Sequence, residues 1–255
     1  MPESSPTDRV ALVTGSGRKR VGWHVADALA DRGYRIAVHY RRSAKEAGEA
    51  VAHFRSKGVE AEAFGADLAD EGAVCGLFRS ALGRFGRLDV LVNCAAIWER
   101  KRLEEVVADD VRRHFGANVL GTFLCAREAG LIMVGQAEGG CIVNVGDWAE
   151  ARPYTGYAAY FATKGAIPTL TRCLAVELGT RNPRVRVNAV LPGPVMLPPD
   201  LPEAERRRAI EATLVRREGR PEDVAQAVLA LVENAFVTGA CLPVDGGRTI
   251  YAGGS

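Results

Sequence analysis

The 255-residue chain lacks features that mark several specialised classes of protein. Its six cysteines form no C-x-x-C pair, which excludes the usual spacings of zinc and thioredoxin-like sites. No uninterrupted apolar run approaches the ~20 residues of a membrane span, and residues 1–8 have no apolar core of a signal peptide. The net charge of +2 gives no bulk attraction to nucleic acid or to an anionic membrane. We therefore expect a soluble cytoplasmic protein with reduced core cysteines, no metal, no nucleic-acid or membrane partner, and a flexible N-terminus over residues 1–8.

What the chain does contain is a regular alternation of short apolar runs with longer amphipathic segments. The apolar runs predict strands at Val10–Thr14, Arg35–Tyr40, Val59–Phe64, Leu88–Asn93, Cys141–Val145, Val185–Val190 and Ala240–Val244. The amphipathic segments predict helices at Val21–Arg32, Ala44–Lys57, Asp70–Leu82, Asp109–Val134, Tyr157–Leu178 and Glu222–Val232, with Ser43 placed to cap the second. This alternation forms βαβ units with right-handed crossovers. The prediction is an α/β fold: a single Rossmann-type domain, residues 9–255, with a doubly wound parallel sheet of about seven strands and helices on both faces.

A segment rich in proline and charge, residues 193–217, breaks this alternation after the sixth strand. Ligands of doubly wound sheets bind outside the carboxyl ends of the strands, and this segment starts at such an end. We therefore interpret it as a substrate lid. A solvated surface loop with one helix explains the same composition equally well.

A glycine-rich turn, Gly15–Gly22, joins the first strand directly to the first helix. At this position glycines let the backbone approach a pyrophosphate, and the helix N-terminus offers free N–H groups and a positive dipole. The turn predicts a dinucleotide site. A tight turn without a ligand is the alternative.

The end of the second strand, His39–Ser43, contains no acidic residue. An enzyme that binds NAD usually has an acid here, which holds the ribose 2′-hydroxyl. Arg41, Arg42 and Ser43 would instead bind a 2′-phosphate, and the basic residues Arg18–Arg20 of the glycine turn add positive charge to the same place. The sequence therefore predicts NADPH, or NADP, as the cofactor.

The chain resembles the short-chain dehydrogenase/reductase family over nearly its whole length. The matching motifs follow in the family's order and spacing: the Thr14–Gly22 turn, Asp67-Leu68, Asn93-Cys94-Ala95, Asn118, Tyr160 to Lys164, Pro192-Gly193 and Val244 to Gly247. The resemblance implies a cofactor site formed by Gly15, Ser16, Arg18, Arg20, Val21, Tyr40, Arg41, Arg42, Ser43, Asp67, Leu68, Asn93, Ala95, Tyr160, Lys164, Pro192 and Gly193. Within it, Asp67 would contact adenine and Lys164 the nicotinamide ribose. The resemblance also implies a small-molecule substrate and a homotetramer or dimer built on the Asp109–Val134 and Tyr157–Leu178 helices.

Tyr160 and Lys164 are the predicted centre of the chemistry. Residues four apart share a helix face, so both side chains can enter one cleft. A phenol with a pKa near ~10 is a poor acid or base at neutral pH, and a nearby ammonium would bring that pKa toward the working range. The resemblance implies that Tyr160 passes a proton as hydride moves, and that Asn118 holds a water for proton relay.

Asp147 departs from the usual family pattern, because a serine that bonds the substrate oxygen normally stands at this position, thirteen residues before Tyr160. A carboxyl group accepts N–H donors when ionised and donates when protonated, which suits a nitrogen heterocycle. In Asp147, Arg20, Trp98 and the second-strand end the chain resembles the pteridine reductase branch of the family. That resemblance implies that Asp147, Asn118, Tyr160 and Lys164 are catalytic. It also implies a substrate site of Arg20, Trp98, Asp147 and Tyr160, with a flat pterin between the Trp98 ring and the nicotinamide.

Three features differ from that branch: the glycine turn is one residue longer, Ala96 replaces a serine, and Pro168 lies within the helix that carries Tyr160. The predicted function is NADPH-dependent reduction of a pteridine such as a dihydropterin or dihydrofolate. One alternative is a carbonyl reductase that acts on 3-oxoacyl thioesters or small ketones. Another is a non-catalytic NADP(H)-binding regulator, against which the intact Asn118, Tyr160 and Lys164 argue.

Overall fold

The computed structural model describes residues 8–251. The predicted flexible segment, residues 1–8, lies outside the described residues except for Asp8, as do the last four residues of the predicted domain, 252–255. The strands are β1 (Val10–Thr14), β2 (Arg35–Tyr40), β3 (Ala61–Gly65), β4 (Val90–Asn93), β5 (Gly140–Val145), β6 (Val185–Pro192) and β7 (Cys241–Val244). They form one parallel sheet in the order β3-β2-β1-β4-β5-β6-β7, which confirms the predicted doubly wound fold.

Helices cover both faces of this sheet. They are α1 (Val21–Ala30), α2 (Ala44–Ser56), α3 (Glu71–Phe85), α4 (Ala108–Phe115), α5 (Gly121–Val134), α6 (Ala158–Lys164), α7 (Ala166–Gly179), α8 (Glu203–Glu211) and α9 (Pro221–Glu233). Successive side chains of a strand point to opposite faces. Accordingly Val13 of β1 packs with α1, α2 and α9, whereas Leu12 packs with α3, α5 and α7. Two apolar layers therefore enclose the sheet.

The ligand-binding edge follows from the strand order. The chain builds the sheet outward from β1 to β3, then returns to place β4 on the other side of β1. The loops that follow β1 and β4 therefore run in opposite directions from the carboxyl ends of these two neighbouring strands. A crevice at such a point is where doubly wound sheets bind ligands.

Two predicted helices are divided in the structure. The predicted Asp109–Val134 helix contains a π-helical turn, Gly116–Leu120, between α4 and α5. The predicted Tyr157–Leu178 helix is interrupted at Gly165. Pro168 lies in the first turn of α7, and because proline has no N–H it cannot donate to the carbonyl four residues earlier, that of Lys164. The interruption thus falls where the helical bond is missing.

Smaller expectations also differ from the structure. Strand β3 begins at Ala61 rather than Val59, because the Val59 amide donates to the Phe54 carbonyl and closes α2. Ser43 occupies the N-cap position of α2 but its side chain makes no cap hydrogen bond, so that prediction was wrong. All six cysteines are free, and Cys173 is exposed instead of in the core.

One helical stretch, Ala108–Val134, is long and apolar enough to cross a membrane by length and composition alone. Half of its most apolar window is buried within the protein. Its second part, α5, packs against α3, α7 and the sheet. The same burial accounts for its apolar composition.

Candidate active site

The glycine turn between β1 and α1 closely approaches the loop after β4. Gly15 has a φ of +70°, and a Cβ on it would lie 3.1 Å from the Cα of Ala95, so only glycine fits without strain. Ser16 is fully buried, and its hydroxyl donates to the Val13 carbonyl over 2.7 Å. The hydrogen of the Ser16 hydroxyl is therefore used in a bond that stabilises the turn itself.

The start of α1 has the chemistry that a dinucleotide requires. Its N-cap residue, Arg20, makes no side-chain cap bond, and the first turn, which begins at Val21, contains no acidic residue. The first N–H groups of a helix lack partners within the helix and attract anions. The helix start and the glycine turn therefore fit a pyrophosphate.

Four predicted cofactor residues lie at the end of β2. Arg41 pairs with Asp67 over 3.7 Å, and Arg18 of the glycine turn pairs with Glu46 over 3.3 Å. Within residues 8–251, by contrast, the guanidinium groups of Arg20 and Arg42 have neither a hydrogen-bond nor an ion-pair partner.

Tyr40 and Leu68 have packing roles next to these basic residues. A Cβ on Gly65 would lie 2.9 Å from the Tyr40 ring, and a Cβ on Gly121 would lie 2.9 Å from the Leu68 Cβ. Both side chains therefore pack tightly against a glycine of a neighbouring element.

Buried amides fasten the strand ends beneath the crevice. Asn93 donates from Nδ2 to Asn144 Oδ1 over 3.0 Å, which joins β4 to β5. The Ala95 amide donates to Thr14 Oγ1 over 3.0 Å, which joins the loop after β4 to β1. Asn93 and Ala95 thus fix the floor of the crevice.

Asn118 lies in the π-helical turn and is 1% exposed. Its Oδ1 accepts the Ile97 amide over 2.8 Å, and its Nδ2 donates to Ile97 O and to Thr163 Oγ1, each over 3.0 Å. Both hydrogens of the side-chain amide are therefore used. The side chain of Asn118 thus joins the loop after β4 to α6, and its role in holding a relay water stays a prediction.

Asp147, Tyr160 and Lys164 come together above the ends of β4 and β5. The Tyr160 hydroxyl donates to Asp147 Oδ2 over 2.8 Å, and Asp147 Oδ1 accepts the Ala149 amide over 2.9 Å. Lys164 donates from Nζ to the Val145 carbonyl over 2.7 Å, and this nitrogen lies 5.8 Å from the centre of the Tyr160 ring. The predicted phenol, ammonium and carboxyl therefore form one buried cluster.

Burial controls the electrostatics of this cluster. It raises the pKa of Asp147, and burial together with the adjacent Asp147 carboxylate raises the pKa of Tyr160 well above 10. Burial also lowers the pKa of Lys164. Burial and Asp147 thus oppose the predicted lowering of the pKa of Tyr160 by Lys164.

Two residues near this cluster were missed by the sequence analysis. Glu150 follows Asp147 in a short 3₁₀ turn, and burial and the Asp147 charge raise its pKa to about 7. Tyr157 stacks on Trp98 with ring centres 4.9 Å apart and planes 9° apart. The spacing of Tyr154, Tyr157 and Tyr160, three residues apart, was the available signal for an aromatic wall.

The predicted lid is a folded segment that contains α8. Gly193 packs against Asp245, the residue after β7, since a Cβ on it would lie 2.6 Å from the Asp245 Cα. The base of the predicted lid closes through a bridge between Val195 and Gly219. Arg100, two residues after Trp98, pairs with Glu205 of α8 over 3.6 Å. The lid therefore reaches across to the loop that carries Trp98.

Comparisons with known proteins agree with this geometry. Residues 17–249 match the sequence profile of the family described as Enoyl-(Acyl carrier protein) reductase. The granaticin polyketide synthase putative ketoacyl reductase 2 of Streptomyces violaceoruber is 38% identical, with 97% of this chain and 98% of the relative covered. The 3-oxoacyl-[acyl-carrier-protein] reductase of Synechocystis is 34% identical, with 96% and 98% covered.

A solved structure of a putative short-chain alcohol dehydrogenase from Sinorhizobium meliloti superposes with a TM-score of 0.89 at 32% identity, covering 96% of this chain and 98% of that one. Sequence, fold and the Tyr160–Lys164 cluster thus agree over almost the whole chain. The predicted family is confirmed, and with it an oxidoreductase that uses a nicotinamide cofactor and a small-molecule substrate: the chain belongs to the short-chain dehydrogenase/reductase family.

Proposed function

We propose that this oxidoreductase reduces carbonyl compounds with NADPH, and that Tyr160 gives the proton with Asp147 as its partner. The observation that carries the proposal is the buried hydrogen bond of 2.8 Å from the Tyr160 hydroxyl to Asp147. Relatives named as ketoacyl and 3-oxoacyl reductases favour a carbonyl substrate. The carbonyl alternative of the sequence analysis thus becomes the first candidate.

Residues of this chain would donate the proton and then restore it to the donor. Bound nicotinamide supplies the hydride, and the Tyr160 hydroxyl supplies the proton to the substrate oxygen. Burial raises the pKa of Asp147, and when this group is protonated it can return a proton to the Tyr160 phenolate. An ionised carboxyl would repel that phenolate, whereas the Lys164 ammonium, held at Val145, opposes negative charge nearby.

The basic groups at the end of β2 support NADPH over NADH. Arg42 and Arg20 are exposed cations without partners in residues 8–251, and Ser43 keeps its hydroxyl out of helix capping. A ribose 2′-phosphate would provide the missing partner, since charge-assisted bonds to phosphate are strong. Arg18 and Arg41 already pair with acids, so Arg42 and Ser43 are the proposed main contacts.

Steady-state oxidation of NADPH by the purified protein tests this function. The substrates are an acetoacetyl thioester, a bicyclic aromatic ketone, dihydrobiopterin and dihydrofolate, with NADH as the alternative cofactor. We expect ketone-dependent turnover with NADPH and much weaker turnover with NADH. No turnover of either ketone above the rate of a Tyr160→Phe variant would disprove the carbonyl assignment.

A pteridine remains the second candidate, and the geometry around Trp98 favours it. The Trp98 ring is 43% exposed and already stacks on an aromatic partner, so it offers a flat face to a planar ring. Asp147 in place of the usual serine suits an N–H group of a heterocycle. Turnover of dihydrobiopterin but not of the ketones in the same assay would select this candidate.

We also propose that copies of the chain associate through the exposed side of α4, α5 and α7. The exposed apolar side chains there are Phe115, Leu120, Phe123, Leu131 and Val176. Exposed apolar side chains on neighbouring helices often lie at an interface between proteins. Light scattering after size-exclusion chromatography should give a dimer or tetramer, and a monomer at micromolar concentration would contradict the proposal.

A further inference from the structure

His39 is a buried polar residue that the predicted functions leave without a role. It stands on β2, one residue before the strand's end, and is 2% exposed. Its neighbours along the strand are the apolar residues Ile36, Ala37 and Val38, so a histidine here is unexpected in an otherwise apolar layer. A buried imidazole needs hydrogen-bond partners, and the identity of those partners indicates its role.

Both ring nitrogens of His39 are bonded to backbone groups. Nε2 lies 3.1 Å from the Ala66 carbonyl, and Nδ1 lies 3.0 Å from the Gly15 amide. A carbonyl oxygen can only accept, so Nε2 must carry the hydrogen. Nδ1 is then the acceptor of the Gly15 N–H, and the backbone partners alone fix this tautomer.

The backbone of His39 holds the same turn from a second side. Its carbonyl accepts the Gly17 amide over 3.2 Å, and its amide donates to the Ser16 hydroxyl over 3.3 Å. The turn residues Gly15, Ser16 and Gly17 are thus each bonded to His39.

These bonds matter because the conformation of this turn is tightly restricted. Gly15 is in the left-handed region and approaches Ala95 so closely that a Cβ would come within 3.1 Å of its Cα. The Gly15 N–H is also used by the imidazole, which leaves the N–H groups at the start of α1 for an anion. A shift of the turn would therefore move these groups away from the place that the phosphates require.

We propose that His39 is a positioning residue for the nucleotide: its neutral imidazole, by accepting the Gly15 amide, holds the glycine turn in the shape that binds the phosphates of NADPH. The inference rests on the proposed use of NADPH. In this proposal His39 acts from the second strand through the glycine turn and contacts neither substrate nor nicotinamide.

The ionisation of His39 is consistent with this role. Burial lowers its pKa to about 4, while the Ala66 carbonyl and the charge of Asp67 oppose the shift. The imidazole is therefore neutral at physiological pH. Only a neutral ring can accept the Gly15 amide at Nδ1, because a protonated ring would present a donor to a donor.

Two substitutions separate the two ring nitrogens. His39→Asn keeps an acceptor near the position of Nδ1 and loses the bond to Ala66, whereas His39→Gln reaches toward Ala66 and loses the acceptor for Gly15. The Kd of NADPH is measured by fluorescence titration. We expect it to stay within about threefold of the value for the unsubstituted protein in His39→Asn and to rise about tenfold in His39→Gln. In the His39→Gln variant the KM for NADPH should rise together with this Kd, while kcat and the KM of the carbonyl substrate stay unchanged.

A matched control and an independent readout complete the test. His114→Asn replaces another buried histidine, 2% exposed and bonded to the Asp110 carbonyl, and should leave the Kd of NADPH unchanged. Hydrogen exchange of the free protein should be faster at residues 13–17 in His39→Gln than in His39→Asn.

The outcomes distinguish this inference from the proposed function. Equal Kd values for NADPH in the two His39 variants, or equal exchange of residues 13–17, would overturn the positioning role. Exchange at residues 13–17 is compared with exchange over β4, so that a difference in overall stability between the variants is separated from a local change in the turn. Failure of the unsubstituted protein to bind NADPH would instead overturn the proposed cofactor.

Discussion

The hydroxyl of Tyr160 donates to Oδ2 of Asp147 over 2.8 Å, and the carboxyl in turn accepts the Ala149 amide through its other oxygen. The phenol is thus oriented by a group that can itself lose or gain a proton. A serine at this position could not change its charge between pH 5 and 9. The protonation of Asp147 should therefore govern the chemistry of this site.

Asp147→Ser tests that relationship through pH. The protonated fraction of Asp147 falls as pH rises through its pKa, which burial has raised, whereas serine stays neutral. We expect the kcat of the serine variant for ketone reduction to rise relative to that of the unsubstituted protein as pH increases and Asp147 ionises. Profiles of kcat against pH check this, with Asp147→Asn as a neutral control of similar shape. Loss of all ketone reduction in Asp147→Ser would refute the carbonyl function.

Tyr160→Phe removes the proposed proton donor and keeps the ring. We expect kcat to fall by about 10²- to 10⁴-fold, because general acid catalysis contributes about that much. The Kd of NADPH should change little, since the Lys164 to Val145 bond is independent of the phenol. An unchanged biological function in this variant would revive the non-catalytic regulator.

Arg42→Ala tests the choice of cofactor. Losing a charge-assisted bond to the 2′-phosphate should raise the KM for NADPH by about 10- to 100-fold and leave the KM for NADH unchanged. Arg32→Ala is the matched control, because Arg32 is exposed and pairs with Glu233 at the other end of α1. Equal changes for both cofactors would rule out a phosphate contact at Arg42.

Glu150→Gln should stabilise the protein above neutral pH. Burial and Asp147 raise the pKa of Glu150 from 4.5 to about 7, so the folded chain binds this proton more tightly than the unfolded chain. Ionisation therefore costs stability as pH rises through this range, and the cost persists above it.

We expect the glutamine variant to be more stable at pH 8 by roughly 1 kcal/mol, less than the full shift in pKa would give because solvent screens this partly exposed group, with no gain at pH 4. Urea unfolding at the two pH values measures the difference. Glu49→Gln, at an exposed position on α2, is the control for the change in net charge. A gain of the same size at pH 4 would show that ionisation is not the cause.

Strands and helices whose positions follow from the local pattern of apolar residues were predictable from the sequence. The bounds of β1 and β2 were predicted correctly, because each is a buried apolar run between clear turn signals. The π-helical turn at Gly116–Leu120 has no such signal, since it depends on the packing of α4, α5 and α6 around Asn118. Strand and helix existence thus follow from periodicity, whereas interruptions follow from tertiary contacts.

The site was predictable as a set of residues but not as a set of bonds. The motifs located Asp147, Tyr160 and Lys164 together, and the structure brings them together. They could not show that the amide hydrogens of Asn118 are used on Ile97 and Thr163, or that burial dominates the pKa of Tyr160. Those facts depend on atoms that are distant in sequence.

The strand order has a consequence for how such a protein can diversify. The groups proposed to distinguish the two cofactors lie on the loops of β1 and β2. Asp147, Tyr160 and the predicted lid instead follow β5 and β6, on the opposite side of the β1–β4 junction. Mutations in one half therefore need not disturb the packing of the other. Cofactor choice and substrate choice can be inherited, exchanged or engineered as separate traits.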